Sequence, residues 1–443
     1  FELLDTYGFP ADLTALVLSE KGYRMDQPGF EKAMAVQRER SRVATKSSAG
    51  DWVWADWASG DLSLNGSFVG YDHGSCSTRI VRWRTVLSPE GEQCQLVLEN
   101  TPFYAESGGQ VGDRGELVGE DGVRIQVLDV VKENNLWIHR VEQLPQDPEQ
   151  NFVATVLPQW RHGVSSHHSA THLLHSALRM RLGDHVQQKG SLVTYDQLRF
   201  DFAQPSKISQ DDLKAIEREV NRAVGLAWPL VEERDLPMAE AVNRGATALF
   251  GEKYGDKVRV ISFGGNYSME LCGGTHVRNT AEIGWFKIIT ETAVASGIRR
   301  IEAVCGPSAM QWVDTQLNSL QEAHEILKNP ADLPAQLRKT VLELSQMRKK
   351  LEQWNQQQME QWIDQWGKAW ENPINGLQLL VQTCEPSQAD ALKVMANRLR
   401  TASPRACVVL GAVLEDKTYM ACALGDELAQ TWNAGKLVLE LIE

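Results

Sequence analysis

The chain has 443 residues, of which 42% are hydrophobic and 23% are charged, and its formal net charge is −13. This composition is typical of globular proteins and excludes disordered, collagen-like and purely coiled-coil chains. The length predicts about three domains. Because no apolar run reaches roughly 18 residues, we expect no membrane-spanning helix.

The charge is unevenly distributed, because residues 1–150 hold 14 basic and 24 acidic side chains whereas residues 151–310 hold 18 and 17. A basic surface over the whole chain is therefore absent, and any contact with nucleic-acid phosphates must come from local patches. This weakens a nucleic-acid-binding function without excluding it. An odd number of cysteines, seven, without close spacing favours a reducing compartment. Since the first residue is Phe1, we expect a piece of a longer product.

The first half of the chain changes from a helical to a strand pattern. Leu13, Leu16 and Val17 have helical spacing and predict a helix within 10–45. Between residues 50 and 145, short apolar stretches separated by Gly, Asn and Pro predict an all-β, barrel-like domain. These stretches lie at 80–81, 95–98, 125–128 and 136–138.

The middle of the chain mixes helices and strands. Apolar residues spaced three and four apart predict a helix from Ser165 to Gly183. The following pattern predicts a helix from Ser209 to about Leu226, a short helix from Pro237, and strands at 190–202, 258–263, 267–271, 283–290 and 298–304.

After Gly306 the pattern predicts two helices separated by a break at Pro330 and Pro334. Two helices joined by a Pro-rich break favour an antiparallel hairpin. Leucines seven apart in the second helix would let it self-associate, but folding back on the same chain would bury them equally well. Four tryptophans share one face of that helix, at 354, 362, 366 and 370, and packing is favoured over a ligand role. Residues 376–443 have the pattern of an α/β module with strands at 377–381 and 406–410.

Two pairs of potential metal ligands lie far apart in the chain. His168 and His172 are four apart on the predicted helix, so their rings project from one face and can reach one cation. Cys272 and His276 enclose a glycine pair that allows a tight turn. Together they predict a zinc site, either functional or purely stabilising. A metalloprotease is excluded because Ser169, not Glu, follows the first histidine.

A glycine-rich turn with the sequence Glu-Ser-Gly-Gly-Gln occupies residues 106–110 of the predicted barrel. Its glycines permit close approach of a backbone or ligand, although an ordinary tight turn is favoured. Neither the phosphate-binding Gly-x4-Gly-Lys-Ser/Thr pattern nor the dinucleotide-binding Gly-x-Gly-x2-Gly pattern occurs, so no nucleotide site is visible in the sequence.

Six motifs occur along the chain in the order Asp5–Pro10, Glu106–Gln110, His168–His172, Gln188–Ser191, Arg199–Phe202 and Cys272–His276. In this order they resemble the post-catalytic part of the alanyl-tRNA synthetase family, and the resemblance covers essentially the whole chain. Two of the six motifs also occur in the editing domain of threonyl-tRNA synthetases, but Asp5–Pro10 and Glu106–Gln110 favour the alanyl family.

The resemblance implies a multidomain α+β protein. The aminoacylation domain would precede Phe1, and the C-terminal domain would be truncated. The expected parts are the end of the tRNA-recognition helices at 1–50, a β-barrel domain at 51–150, a zinc-binding editing domain at 151–305, a dimerising helical hairpin at 308–372 and a partial α/β C-terminal domain at 373–443.

The resemblance also implies a function. An aminoacylation pocket separates alanine from serine or glycine by only about a hundredfold, so a second site must hydrolyse the wrong ester. We therefore expect zinc-dependent hydrolysis of Ser-tRNA(Ala) or Gly-tRNA(Ala) in the cytoplasm, with the tRNA acceptor end as partner and a possible homodimer through 308–372. The resemblance implies no DNA partner. The parent enzyme would attach alanine to tRNA(Ala) with ATP and Mg²⁺.

The family further suggests roles for individual residues. Zinc held by His168, His172, Cys272 and His276 could polarise the ester carbonyl, bind the substrate amino group or activate a water. Four protein ligands fill a tetrahedral site, so direct catalysis would require one of them to be exchangeable.

Thr171 is the candidate for recognising the serine hydroxyl, its alternative being a helix threonine bonded to its own backbone. Gln188 resembles a family residue needed for editing and is expected to orient the water or the terminal ribose. Candidate tRNA contacts are Gly108, Gly109, Arg179, Arg181, Lys189, Arg299 and Arg300.

Two other functions remain open at this point. A stand-alone trans-editing deacylase is disfavoured, because such proteins lack the long helical hairpin and would begin with their own Met. A non-catalytic tRNA-binding or dimerising module, in which zinc only supports the fold, would show no hydrolysis.

Overall fold

The computed structural model describes residues 51–58, 64, 66–88, 91–248, 255–368, 370, 376–383, 389–414 and 417–442, with scattered residues between 14 and 34. The Asp5–Pro10 motif and the boundary predicted at 372/373 lie outside the described residues. Most of the helix predicted within 10–45 also does, although residues 28–30 and 32–34 are helical. The chain divides into two compact units, Phe1–Leu317 and Asn318–Glu443.

Six antiparallel strands close into a barrel near the start of the first unit. Their order is β3-β4-β8-β7-β6-β9, and β9 pairs back with β3. A further strand pairs with β3, and two short strands pair in parallel. The bounds are β1 Val53–Trp54, β2 Ser67–Phe68, β3 Ser75–Ser88, β4 Gly91–Leu98, β5 Asn100–Thr101, β6 Gly115–Gly119, β7 Arg124–Glu133, β8 Leu136–Val141 and β9 Asn151–Val156.

The barrel closes because β3 is long enough to serve two neighbours. Its residues 75–79 pair with β9, and residues 80–88 pair with β4. Alternate side chains point inward, as in β6, and the core includes Ile80, Leu96, Phe103 and Leu117. The four apolar stretches predicted as strands lie in β3, β4, β7 and β8. The sheet continues past residue 150, since β9 is needed to close it.

The rest of the first unit is a mixed α+β region. One antiparallel sheet has the order β10-β11-β16-β15 and a smaller one the order β12-β13-β14. The bounds are α1 Pro158–Leu182, β10 Gln188–Val193, β11 Leu198–Ala203, α2 Gln210–Gly225, β12 Val231–Pro237, α3 Met238–Asn243, β13 Lys257–Phe263, β14 Ser268–Leu271, β15 Phe286–Ala295 and β16 Ile298–Cys305.

In this region one predicted boundary was wrong and one strand was not predicted. Helix α1 begins at Pro158 rather than at Ser165, because a proline in the first turn needs no N–H partner and already has a helical φ. Strand β12 was missed because its charged sequence Val-Glu-Glu-Arg-Asp-Leu-Pro shows no apolar alternation. Apolar residues of α1, including Ala170, Leu174 and Leu178, pack in the main core of this region.

The C-terminal part begins with two long helices and continues into a small α/β module. In the module β17 pairs in parallel with β18, which pairs antiparallel with β19. The bounds are α4 Gly306–Ile326, α5 Leu333–Trp366, β17 Gln378–Thr383, α6 Ala389–Leu399, β18 Ala406–Leu414, β19 Lys417–Leu424 and α7 Ala434–Ile442. Among the described residues, no helix is both long and apolar enough to cross a membrane.

The second long helix differs from expectation at both ends. Pro334 does not break it but lies in its first turn, where the Asp332 side chain accepts a hydrogen bond from the backbone nitrogen of Ala335. At the other end Trp362, Trp366 and Trp370 pack on the core of the α/β module. Trp354, in contrast, is 57% exposed. The helix ends at Trp366, so Trp370 lies beyond it, and the prediction that all four tryptophans share one helix face was wrong.

Candidate metal centre

His168 and His172 lie on the most buried stretch of α1. Every residue from Val164 to His175 is buried. Because the two histidines are one turn apart, their rings are neighbours, with centroids 5.2 Å apart and an interplanar angle of 79°. The helix therefore brings two imidazoles to one place.

Cys272 and His276 reach the same place from the loop after β14. Cys272 Sγ lies 3.4 Å from His168 Nε2 and 3.3 Å from His276 Nε2. One potential ligand atom from each of His168, His172, Cys272 and His276 lies within 4.8 Å of the others. Gly274 permits this approach, because a side chain there would collide with the His168 ring.

The backbone of this loop is held by two side chains from outside it. Arg259 Nη1 donates hydrogen bonds to the carbonyl oxygens of Cys272 and Gly274, at 2.9 and 2.7 Å. Tyr71 Oη donates to the carbonyl oxygen of Gly273 at 2.5 Å. The Arg259 guanidinium also lies 4.0 Å from the centroid of the Tyr71 ring. These contacts fix the loop that presents the cysteine and the histidine.

Two of the histidines are held in the uncharged form in which imidazole binds metals. Burial, followed by the neighbouring imidazoles, lowers the pKa of His168 and His276 well below the ordinary histidine value. Both rings are therefore neutral near pH 7, the form in which imidazole binds metals. His172 Nδ1 is buried and has no hydrogen-bond partner among the described residues, and coordination of a metal ion would satisfy this nitrogen. Three imidazoles and one thiolate fit a tetrahedral zinc site.

Glu270 lies behind two of the histidines of α1. Its Oε1 is 3.0 Å from His175 Nδ1, and its Oε2 is 3.6 Å from His172 Nε2. Burial raises the pKa of the Glu270 carboxyl, but the adjacent imidazoles outweigh burial and hold that pKa below its usual value. Carboxylates in this position orient ligand histidines and increase their basicity.

A pocket of about 500 Å³ is lined by His168, His172 and Cys272, and Thr171 and Gln188 line it as well. Thr171 Oγ1 donates a hydrogen bond to the carbonyl oxygen of His167 at 2.9 Å, so its proton is used within the helix. The lone pairs of that oxygen can still accept a hydrogen bond. Gln188 Nε2 lies 3.5 Å from Ser191 Oγ. The catalytic roles of Thr171 and Gln188 stay predictions.

The two glycines predicted to contact tRNA lie between the barrel and β10. Gly108 borders the pocket. The carbonyl oxygen of Gly109 accepts a hydrogen bond from Val193 N at 2.7 Å. Gly109 therefore links the barrel to β10. Contact with tRNA stays a prediction for both glycines.

The predicted basic tRNA contacts are largely engaged with carboxylates of the same chain. Arg299, for example, is paired with Glu291, and their side chains are only 13% and 2% exposed. Lys189 is exposed on β10 beside Gln188. Binding of phosphate by these five basic residues stays a prediction. The other three pairs are Arg179 with Asp184, Arg181 with Asp212, and Arg300 with Asp201.

Three basic residues that the sequence analysis did not single out also line the pocket, namely Lys132, Lys257 and Arg259. Lys132 lies on β7 of the barrel and Lys257 on β13. An exposed lysine on a strand carries no local signal of function. Only the approach of the barrel to the smaller sheet brings these charges to one pocket.

Comparisons with known proteins match two parts of the first unit. Residues 1–154 match the family described as "tRNA synthetases class II (A)", and residues 258–302 match "Threonyl and Alanyl tRNA synthetase second additional domain". The alanine–tRNA ligases of Flavobacterium psychrophilum and Christiangramia forsetii are each 43% identical over 100% of this chain. That of Porphyromonas gingivalis is 44% identical over 79% of the chain and 39% of its own length. The chain spans 50% of each of the first two relatives.

Proposed function

Since the chain belongs to the alanine–tRNA ligase family, we propose that it hydrolyses tRNA(Ala) that carries serine or glycine. The observation that carries this proposal is the convergence of His168, His172, Cys272 and His276 within 4.8 Å beside an open pocket. The match to the threonyl and alanyl additional domain at 258–302 includes the last two of these residues.

His168, His172, Cys272 and His276 would hold zinc, which when bound supplies a Lewis acid at the edge of the pocket. The other residues of the pocket would bind and orient the ester. The side chains of Lys132 and Lys257 would attract the phosphates of the tRNA 3′ end, because they are cations on the pocket lining.

Thr171 would distinguish serine from alanine. Its oxygen has lone pairs left after donation to the His167 carbonyl, so it could accept a hydrogen bond from the serine hydroxyl. Alanine has no hydroxyl to donate and would lose that interaction. The amide of Gln188, which also lines the pocket, would orient the attacking water or the terminal ribose.

The same proposal assigns the remaining parts of the chain. Residues 1–50 would end the tRNA-recognition helices, 51–150 would form the β-barrel domain, 151–305 the editing domain, 308–372 the dimerising hairpin and 373–443 the C-terminal domain. The whole protein would attach alanine to the acceptor end of tRNA(Ala) in the cytoplasm, with ATP and Mg²⁺.

Deacylation of labelled Ser-tRNA(Ala) by the zinc-loaded chain tests the proposal. We expect hydrolysis by the unmodified chain and its loss in Cys272→Ala. His162→Ala is the matched control, because His162 is an exposed histidine on the same helix as the ligands and should leave the rate unchanged. Zinc binding without any hydrolysis at excess protein would overturn the proposal in favour of a non-catalytic tRNA-binding module.

A further inference from the structure

Gln110 is a fully buried side chain of the barrel that reaches into the metal centre. It ends the glycine turn at 106–110, and it is 0% exposed. This turn is bonded to β10, because Gly109 O accepts from Val193 N at 2.7 Å and Val111 N donates to Val193 O at 3.1 Å. The barrel therefore carries the Gln110 amide, and the bonds to β10 hold it in place.

The contacts of the Gln110 amide determine which of its ends is oxygen. One end lies 2.8 Å from the backbone nitrogen of Thr275. A backbone N–H can only donate, so this end is Oε1. The other end, Nε2, donates to Thr275 Oγ1 at 3.0 Å, and the same hydroxyl oxygen accepts from Ser165 Oγ at 2.8 Å. The amide is thus held in one orientation.

That orientation determines the tautomer of His168. Oε1 of Gln110 lies 2.7 Å from His168 Nδ1. Because an amide oxygen only accepts, Nδ1 must carry the proton of the neutral ring, and Nε2 is left bare. Nε2 is the nitrogen that lies 3.4 Å from Cys272 Sγ, inside the cluster of ligands.

We propose that Gln110 is a positioning residue of the metal centre, which holds His168 in the tautomer that presents Nε2 to a bound metal. This inference rests on the proposed zinc site, and it adds a residue of the barrel to the groups that form that site. The four ligands lie on α1 and the loop after β14, whereas Gln110, which orients His168, comes from the glycine turn of the barrel. The affinity of the centre for zinc then depends on the contact between the barrel and β10.

Zinc affinity, measured by competition with a chromophoric chelator, tests this role without reference to hydrolysis. Gln110→Met keeps the length of the side chain but removes the acceptor, and we expect affinity to fall by about tenfold to a hundredfold. Gln110→Glu keeps an oxygen facing His168 Nδ1 and should restore most of the affinity. Gln95→Met is the matched control, since Gln95 is another buried barrel glutamine, bonded to Arg84 and Gln93.

A second measurement separates positioning from a purely structural effect. In the zinc-loaded unmodified chain, NMR of ¹⁵N-labelled histidines should show a slowly exchanging Nδ1 proton on His168, and Gln110→Met should lose it. If Gln110→Met does not fold, the same spectrum is recorded for Gln110→Asn. Its shorter side chain places the amide oxygen farther from His168 Nδ1.

Three results would overturn the inference. The first is unchanged zinc affinity in a folded Gln110→Met or Gln110→Asn chain. The second is an equal loss in Gln95→Met, and the third is a proton on Nε2 instead of Nδ1. Failure of the unmodified chain to bind zinc would reject the proposed metal site itself, which is a distinguishable outcome.

Discussion

Gly109 lies against Ser191 so closely that a methyl group at position 109 would overlap the carbonyl oxygen of Ser191. Gly109 also has a φ of +81°, which is costly for residues with a Cβ. We expect Gly109→Ala to lower the free energy of unfolding by more than the roughly 1–2 kcal/mol of the backbone strain alone. Urea unfolding followed by tryptophan fluorescence measures this loss.

Gly122→Ala is the control for that substitution. Gly122 has a similar φ of +79°, but nothing lies within 4 Å of the position where its Cβ would stand. It therefore reports the backbone strain without the collision. Equal losses of stability in the two variants would show that the contact between Gly109 and Ser191 is not tight in solution.

The metal content of the purified chain is the next prediction. We expect one zinc per chain, and we expect the double substitution Cys272→Ala with His276→Ala to remove it, because two of four ligands are lost. Cys305→Ala should keep the zinc, since burial raises the pKa of the Cys305 thiol and holds it protonated. Zinc retained by the double variant, measured by elemental analysis, would place the metal elsewhere.

Selectivity should depend on the hydroxyl of Thr171. Thr171→Val keeps the shape of the side chain but removes its oxygen, so we expect slower hydrolysis of Ser-tRNA(Ala) and a smaller serine-to-alanine rate ratio. The activation free energy for the serine ester should rise by about 1–3 kcal/mol, the cost of one lost buried hydrogen bond. Thr315→Val is the matched control, because Thr315 Oγ1 makes the same bond one turn back, to Gln311 O at 2.9 Å. An unchanged ratio at full zinc occupancy would restrict Thr171 to helix packing and turn attention to Gln188.

The barrel should lose stability in mild acid through His139. His139 is fully buried and bonded to Thr101 Oγ1 at 2.7 Å, and burial lowers its pKa from 6.5 to about 4. The unfolded chain binds a proton at higher pH than the folded one, so this contribution is full above about pH 6.5 and is lost as the pH falls toward 4. At pH 5 the loss is about 2 kcal/mol.

Urea unfolding of His139→Gln at two pH values checks this effect. The stability gap between the unmodified chain and this variant should shrink by about 2 kcal/mol from pH 7.5 to pH 5. His162→Gln, a substitution at an exposed histidine, should show a constant gap. A constant gap for His139→Gln as well would mean that this histidine does not govern the acid response.

The long helices should support self-association. Leu344 and Leu351 of α5 are 50% and 56% exposed, so burying the exposed half of each side chain against a partner would stabilise a dimer by about 1 kcal/mol per leucine. Sedimentation velocity should show a concentration-dependent dimer, which Leu344→Ser with Leu351→Ser weakens. Gln346→Ser, at an exposed polar position of the same helix, should have no effect. A monomer at all concentrations would reject the dimer.

Several features could be predicted because each depends on residues close together in the chain. The spacing of His168 and His172 places both rings on one helix face, and the glycine pair before Thr275 allows the tight turn between Cys272 and His276. Short apolar stretches separated by Gly, Asn and Pro likewise indicated strands of the barrel. The roles of these residues in zinc binding and editing remain to be tested.

The tertiary structure decided everything that depends on contacts between distant segments. Periodicity reports only which face of an element is buried, and it does not identify the partner across the core. The sequence therefore indicated neither that β9 closes the barrel nor that Arg259 and Tyr71 hold the loop at 272–274. The clearest case is Gln110, whose amide meets His168 only because the folded barrel lies against β10.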